Sequence, residues 1–361
     1  DGAQFQQRAQ VRVTGRGCVV EGCLARDSEV RGITVEFDGR HDQTEPPTMI
    51  RGNWIVNPGD VGIGCAGTSE FLTPENLDGA APGRGRAVIE RNVVVNANWA
   101  GFDPFWESGG MKLLMTTGCV VRHNTIVGGS GPGLWFDWEH FNDRVEGNLF
   151  RDGWAFGVGV EASPGPLLLA NNLAVDLRPG AVWFRFGLLE WSSDRVYFMH
   201  NTIDGRWNTL PAWQELDGAD GIYVGEGPDD RQTRWGALTA RAHAVLNNLV
   251  VGCDTALQTR PETRTADTVA GNVTDRGRGM AARAELPGAF RAAARLDYRL
   301  APGCTLLAAG ADHELERLVP HDFNGLLRFP ADGVTPGAFR AEPPATVTLE
   351  AELEDGTLLR P

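Results

Sequence analysis

The amino-acid sequence predicts an all-β fold, a right-handed parallel β-helix whose coils are about 24 residues long. Three observations predict it: a short phrase containing asparagine recurs along the chain, its spacing clusters near one period, and the segments between are brief β-branched runs broken by Gly, Asn and Asp. A period in the twenties with insertions is typical of solenoids, and β-branched runs indicate strands. Only the Ala-rich stretch 281–295 shows a helical apolar pattern.

The recurring phrase reads GNWIVN at 52, RNVVVN at 91, HNTIVG at 123 and NNLVVG at 247. Three of the intervals between successive leading asparagines equal this period, and the others are longer. Asparagine tolerates left-handed backbone and bonds neighbouring backbone groups, which suits a sharp corner between strands. Stacked on successive coils, such residues form a ladder of side-chain amides. We predict such a structural ladder from Asn53, Asn92, Asn124, Asn148, Asn172, Asn201, Asn248 and Asn272.

The repeat also sets the domain boundaries. We predict a β-helix over residues 1–296 and a C-terminal capping segment of the same domain over 297–361, because terminal repeats of solenoids need a cap. Two insertions, 63–86 and 206–240, are expected to leave the β-helix as loops, where binding sites tend to lie. The second is expected either to close the site or to form a contact between copies in a homo-oligomer.

Composition restricts the partners. A net charge of −14 argues against nucleic acid and other polyanions, and no run approaches the roughly 18 apolar residues of a membrane helix. The first residues show no signal peptide. Because the sequence does not begin with Met, a leader or an N-terminal segment absent from it is the alternative. Six cysteines without metal-ligand spacing predict free buried thiols, with a Cys18–Cys23 disulfide as the alternative, and favour the cytoplasm over secretion. Neither a metal nor a cofactor is predicted.

The candidate catalytic residues are selected by their distance in sequence from the ladder asparagines. Asp137, Glu161 and Arg185 follow three successive ladder asparagines at one common interval, in strands whose alternation turns them outward. They are therefore expected to form one column on the outer face. The column beside it is expected to contain Trp135, Gly159 and Trp183.

The spacing of the two carboxyl groups predicts their chemistry. Neighbouring strands lie about 4.8 Å apart, which places the Asp137 and Glu161 carboxyl groups roughly 5 Å apart. Retaining glycosidases hold their two carboxyl groups about 5–5.5 Å apart, whereas inverting enzymes leave about 6.5–9.5 Å. Like charges this close should also differ in pKa, so that one group is ionised and the other protonated. The alternative is an ordinary charged surface with an exposed ion pair.

Residues around this pair are candidates for substrate binding. Trp135 and Trp183 are expected to be exposed and to form an apolar shelf for a sugar ring. Lys112, the only lysine, is expected one coil before Trp135 or Asp137, as a ligand to a sugar hydroxyl or to Asp137. Arg185 is expected next to Glu161, where its positive charge would favour the ionised form of that glutamate. The alternative is that Arg185 binds a group of the substrate.

Two further residues have weaker patterns. Glu107 lies in the aromatic stretch WAGFDPFWESGG and is expected either to bind substrate or to cap a turn. His140 follows the strand of Asp137 and is expected to reach the cleft.

The span GPGLWFDWEHFNDRVEGNLFRDGWAFGVGVEASPGPLLLANN, residues 131–172, resembles the β-helix β-xylosidases of glycoside hydrolase family 120. Shared features are the LWxDW strand, the NLF turn, the following strand that ends in NN, and an upstream E-x-x-G-x-K-L pattern from Glu107 to Leu113. The resemblance implies that Asp137 is the nucleophile and Glu161 the acid/base. The matching motifs all lie between Glu107 and Asn172. EHFNDR after the LWFDW strand departs from the family, and no counterpart of the family's extra β-sandwich module is expected within these residues.

We therefore expect a retaining glycoside hydrolase acting on a neutral glycan or glycoside, with β-xylosides as first candidates. A polysaccharide lyase on the same fold is one alternative, although that class needs cations to neutralise a uronate and this acidic chain has one lysine. A non-catalytic glycan-binding β-helix is the other, since a fold does not determine a function.

Overall fold

A computed structural model describes residues 8–37, 46–67, 86–104, 106–177, 186–206, 220–225, 242–259, 268–276, 279–328 and 334–340, with the short pairs 351–352 and 358–359. Within these residues the chain forms three long parallel sheets of nine, nine and ten strands. Each coil contributes one strand to each sheet, and each strand pairs with its counterpart one coil away. The predicted right-handed parallel β-helix is confirmed.

The strands are as follows. The first sheet contains Ala9–Val13, Arg31–Glu36, Val61–Ala66, Gly109–Leu114, Leu134–Asp137, Val158–Glu161, Phe186–Trp191, Asp220–Gly225 and Leu257–Thr259. The second contains Val19–Glu21, Thr48–Arg51, Ala87–Glu90, Val120–Arg122, Asp143–Glu146, Leu167–Ala170, Val196–Met199, Ala244–Leu246 and Thr268–Ala270. The third contains Leu24–Ser28, Trp54–Pro58, Val93–Ala97, Thr125–Gly129, Leu149–Arg151, Leu173–Val175, Thr202–Asp204, Leu249–Val251, Val273–Thr274 and Ala281–Ala282.

The predicted asparagine ladder is present at the corner between the second and third sheets. Each ladder side chain donates from Nδ2 to Oδ1 of the next at 2.8–3.0 Å, from Asn53 through to Asn272. One detail of the prediction is wrong: the left-handed backbone belongs to the residue before each asparagine. These residues are Gly52, Arg91, His123, Gly147, Asn171, His200, Asn247 and Gly271. The ladder asparagines are thereby free to use their side chains along the helix axis.

Inward side chains of the three sheets form one continuous apolar core along the β-helix. Each Val, Leu or Ile buried there contributes about 1.5–3 kcal/mol relative to an exposed position. Six glycines stack at the start of successive strands of the first sheet: Gly32, Gly62, Gly110, Gly133, Gly157 and Gly187. A Cβ at Gly110 would lie 2.5 Å from Ile126 Cγ2 and 2.6 Å from the Gly133 carbonyl oxygen. Glycine is therefore needed for the first sheet to approach the third.

The two predicted insertions are only partly loops. Residues 63–66 belong to the strand Val61–Ala66, and residues 220–225 form another strand of the first sheet. The prediction that 63–86 and 206–240 leave the β-helix entirely is therefore wrong at these positions. Residues 68–85, 207–219 and 226–241 lie outside the described part of the chain.

The segment after the β-helix packs along its side. It contains the short helix Leu286–Ala289, the antiparallel pair Phe290–Ala292 and Asp297–Leu300, and 3-10 turns at Ala293–Arg295, Thr305–Ala308 and Glu314–Leu318. Its apolar side chains cover outward residues of the third sheet, such as Leu173 and Leu249.

The same segment also contacts a buried histidine of the β-helix. Burial lowers the pKa of His200 to about 4, and its Nε2 lies 2.6 Å from a carboxylate oxygen of Glu316 in this segment. The role of 297–361 as an end cap stays a prediction.

Two further expectations concern thiols and membranes. All six cysteines lie in the described part of the chain and are free, which confirms free thiols over the Cys18–Cys23 disulfide. Cys65, Cys119 and Cys253 are buried as predicted, whereas the prediction of burial is wrong for Cys23, which is exposed. Among the described residues, no helix has the length and apolar character needed to span a membrane.

Candidate active site

The two candidate carboxylates lie at the ends of neighbouring strands of the first sheet. Asp137 ends Leu134–Asp137, Glu161 ends Val158–Glu161, and the two residues are direct partners in the parallel register. This confirms the predicted stacking of the pair. The Asp137 side chain keeps 17% of its surface exposed, whereas Glu161 is 5% exposed. One carboxylate thus faces the solvent more openly than the other.

Lys112 lies one coil before this pair, in register with Trp135, as predicted. Its Nζ is 2.9 Å from Oδ2 of Asp137 and 4.0 Å from the centroid of the Trp135 ring. The ammonium group also donates to the carbonyl oxygen of Trp106. Because the lysine side chain is only 4% exposed, these three contacts hold a buried positive charge directly against Asp137.

Trp135 points away from the helix core but is covered. It is 4% exposed and packs edge-on against Phe156 and Trp191, at centroid distances of 5.7 and 6.0 Å. The prediction that Trp135 offers an exposed shelf is therefore wrong, because an aromatic layer covers its ring. Its indole Nε1 instead donates to Oε2 of Glu161 at 3.2 Å. Trp135 thus contacts Glu161 through its edge and Lys112 through its face.

The exposed aromatic surface near the pair belongs to other residues. Trp138, directly after Asp137, is 36% exposed and adopts a left-handed conformation with φ of 71°. Trp106, whose carbonyl accepts from Lys112, is 61% exposed. Neither residue was among the predicted site residues, although LWFDW ends on Trp138 and the stretch before Lys112 contains Trp106.

The coil after Glu161 departs from the predicted register. Trp191 is the strand partner of Glu161, and Leu189 is the partner of Gly159. The predicted columns that continued to Arg185 and Trp183 are therefore wrong in this coil, because Trp191 and Leu189 occupy the partner positions. Arg185 and Trp183 themselves lie outside the described residues.

Gly159 explains how the aromatic layer fits onto the sheet. A Cβ at this position would lie 2.5 Å from Cε2 of Phe156. The Phe156 ring therefore occupies the space over Gly159 and reaches both Trp135 and Trp191. This packing fixes the indole whose N–H contacts Glu161.

A second group of charged residues lies beside Lys112. Arg31 Nη2 is 3.0 Å from Oε2 of Glu107, and its Nε is 4.0 Å from Oδ2 of Asp60. Asp60 is fully buried, and neither of its carboxylate oxygens has a hydrogen-bond partner among the described residues. Burial raises the pKa of Asp60 to about 7, with Glu107 adding to the rise and Arg31 and Lys112 opposing it.

His140 lies inside the β-helix rather than in the cleft. It is fully buried, its Nδ1 lies 2.9 Å from the Thr116 hydroxyl and 3.1 Å from Asp143, and its Nε2 is 3.2 Å from the Leu113 carbonyl oxygen. The structure corrects the predicted placement: these contacts hold the turn after Asp137 from within.

The described residues contain no cluster of three or more His, Cys, Asp or Glu side chains arranged to hold a metal ion. What they bring together is a partly exposed carboxylate beside a fixed ammonium, with a second, more buried carboxylate one strand away that accepts from an indole N–H. Such an arrangement can supply a nucleophile and a proton donor to opposite ends of one bond.

Comparison with known proteins supports the fold class first. No protein-family model and no curated protein matches the chain. Solved structures do match, including that of XylC in complex with xylose, at 15% identity and a TM-score of 0.53, over 77% of this chain and 47% of XylC. The A-module of the mannuronan C-5 epimerase AlgE6 from Azotobacter vinelandii matches at 16% identity and a TM-score of 0.42, over 76% of this chain and 80% of the module. At these identities the likeness to XylC shows a shared fold, and this chain spans about half of XylC's length.

Proposed function

We propose that the protein is a retaining glycoside hydrolase that acts on a neutral glycan or glycoside, with β-xylosides as the first substrates to test. The observation that carries the proposal is the Asp137–Glu161 pair, placed in register on adjacent strands with Lys112 bound to Asp137. Adjacent strands are about 4.8 Å apart, which agrees with the roughly 5–5.5 Å separation of carboxyl groups in retaining enzymes.

The proposed reaction has two steps. Asp137 attacks the anomeric carbon while Glu161 donates a proton to the departing glycosidic oxygen, which leaves a glycosyl ester on Asp137. Glu161 then removes a proton from water, and the water oxygen displaces Asp137 from the anomeric carbon with net retention. Lys112 holds the attacking carboxylate in place, and the Trp135 indole orients the carboxyl group of Glu161.

The choice of substrate rests on three supports. The motif resemblance to family 120 is to β-xylosidases, and XylC, which shares the fold, was solved with xylose. The net charge of −14 disfavours a polyuronate. Exposed Trp138 beside Asp137 offers an apolar face on which a pyranose ring can stack.

The test uses a panel of aryl glycosides, with the anomer first released followed by NMR. We expect initial release of the retained anomer, and loss of turnover in Asp137→Ala. In Glu161→Ala, substrates with poor leaving groups should lose far more rate than dinitrophenyl glycosides, because only the former need protonation. Glu21→Gln, which alters an exposed carboxylate paired with Arg51, is the matched control.

Azide distinguishes the two roles. It should restore turnover of an activated glycoside by Glu161→Ala and yield a glycosyl azide of retained configuration, since azide then replaces water at the intermediate. With the cavity left by Asp137→Ala, azide should give the inverted product. Release of the opposite anomer by the unmodified protein would refute retention, unsaturated products would indicate a lyase, and binding without turnover would indicate a glycan-binding protein.

A further inference from the structure

Residues 106–108 lie against the candidate site through their backbone and one carboxylate. The Trp106 carbonyl oxygen accepts from Lys112, and the next residue, Glu107, pairs with Arg31 at 3.0 Å. The Trp106 side chain is 61% exposed, so its ring contributes little to anchoring the segment. The Trp106 N–H also donates to the Asp103 carbonyl oxygen, and Ser108 is fully buried. The Glu107–Arg31 ion pair is the charged contact that helps to fix the carbonyl that holds Lys112.

Arg31 is well placed to fix it. Its side chain is 11% exposed, and its guanidinium lies between Glu107 and the buried Asp60. A Cβ at Gly64 would lie 3.2 Å from Nη1 of Arg31, so this glycine leaves room for the guanidinium to lie on the sheet. Gly64 is the direct strand partner of Lys112, which places the guanidinium over the position next to that lysine.

We propose that Arg31 is a positioning residue of the candidate active site: it anchors Glu107, and thereby places the Trp106 carbonyl that holds the Lys112 ammonium against Asp137. The contacts run from the Arg31–Glu107 pair, through the carbonyl oxygen of the adjacent Trp106, to Lys112 and the proposed nucleophile. Arg31 lies on a strand two coils before Lys112, so the proposed reaction depends on a residue remote in sequence. The catalytic part of the inference rests on the proposed function, whereas the structural part does not.

The contacts that hold the Lys112 ammonium can be probed directly, because Lys112 is the only lysine of the chain. Acetylation by an N-hydroxysuccinimide ester, followed by mass spectrometry of the peptide that contains Lys112, reports how well that amine is held. In Arg31→Gln the segment 106–108 should open more often, and acetylation of Lys112 should be about tenfold faster. The matched control is Arg51→Gln, which breaks an exposed arginine–glutamate pair on the second sheet and should leave the rate unchanged.

Kinetics on the aryl glycoside chosen above provide the second measurement. Misplacing the nucleophile should lower kcat of Arg31→Gln roughly 10- to 100-fold, while KM changes less than about threefold. Arg31→Lys keeps the charge but loses the fork that spans two carboxylates, so it should recover part of both kcat and Lys112 protection. If Arg31→Gln does not fold, as judged by circular dichroism, Arg31→Lys decides through the same two measurements.

The two outcomes are distinguishable. Unchanged Lys112 acetylation in a folded Arg31 variant would overturn the positioning role whether or not the protein hydrolyses glycosides. A protein without turnover, in which Arg31→Gln still exposes Lys112, would refute the proposed function and retain the anchoring role. A loss of kcat without faster acetylation would show that Arg31 acts by another route and would also overturn the inference.

Discussion

Replacing Asp60 with asparagine is expected to stabilise the protein at alkaline pH. Asp60 is fully buried, neither oxygen has a hydrogen-bond partner in the described part of the chain, and burial raises its pKa from 3.8 to about 7. Below pH 3.8 the carboxyl group is protonated in both folded and unfolded chains and has no effect. Between 3.8 and about 7 the unfolded chain loses its proton while the folded chain keeps it, so the free energy of unfolding falls as pH rises.

The magnitude follows from the same two values. At 1.36 kcal/mol per unit of pKa, the difference between 3.8 and about 7 corresponds to about 4 kcal/mol, reached fully above pH 7. About 1.5 kcal/mol of this is already present at pH 5, so the difference between Asp60→Asn and the unmodified protein should grow by about 2.5 kcal/mol from pH 5 to pH 8. Asparagine has almost the same shape and cannot ionise.

The assay is urea unfolding of both proteins at pH 5 and pH 8, followed by intrinsic tryptophan fluorescence. A difference in the free energy of unfolding that is present at both pH values would reflect the amide itself, and only its increase from pH 5 to pH 8 tests the ionisation of Asp60. A difference that stays the same at both pH values, or shrinks towards pH 8, would refute it. Asp27→Asn is the matched control, because this exposed aspartate should not give the same increase.

Three further predictions concern the ladder and the site. Asn148→Ala removes two consecutive ladder rungs and should lower the free energy of unfolding by about 2–4 kcal/mol in urea, whereas Glu21→Gln at an exposed ion pair should have little effect. Gly159→Ala forces a methyl group to within 2.5 Å of an aromatic ring and should cost about 1–3 kcal/mol in the same assay; a neutral result would contradict the packing. Trp135→Phe removes the indole donor to Glu161 and should lower kcat/KM about tenfold, whereas an unchanged value would exclude that hydrogen bond from the mechanism.

Much of the fold was predictable because the ladder places an asparagine at the same corner of successive coils. An asparagine that must bond its neighbours on both sides cannot be replaced by most residues, so its spacing survives where strand sequences vary. The left-handed residue before it was not predictable in the same way. Glycine, arginine, histidine and asparagine all occupy that position, so no single residue type marks it.

The register of the two carboxylates was predictable because coil length is constant there. Asp137 and Glu161 stack because the interval from Asn124 to Asn148 equals the interval from Asn148 to Asn172. The next interval, which ends at Asn201, is longer, and the strand partner of Glu161 is Trp191 rather than the earlier position that equal coils would select. The extra residues precede the strand of the first sheet, where a loop can lengthen without disturbing the ladder.

The remaining errors at the site arise from long-range contacts. Strand alternation correctly turned Trp135 outward, but alternation says nothing about what covers an outward side chain. The ring of Phe156 lies over Gly159 because that residue has no side chain, and this cover is visible only in three dimensions. Asp60 and Arg31 were missed because no local motif joins residues so far apart in sequence, although they meet on neighbouring coils.

The asparagine ladder also makes each coil an exchangeable unit during evolution. Every inner rung bonds the rung above and the rung below through the same amide atoms, so removing one complete coil would bring two equivalent rungs together. A gene for such a chain can gain or lose whole coils by duplication or deletion and keep an unbroken ladder. The coils that hold Lys112, Asp137 and Glu161 are different, because their order determines which groups meet. Length can therefore vary beyond the coils that run from Arg31 to Glu161, while the coils within this span must be inherited together.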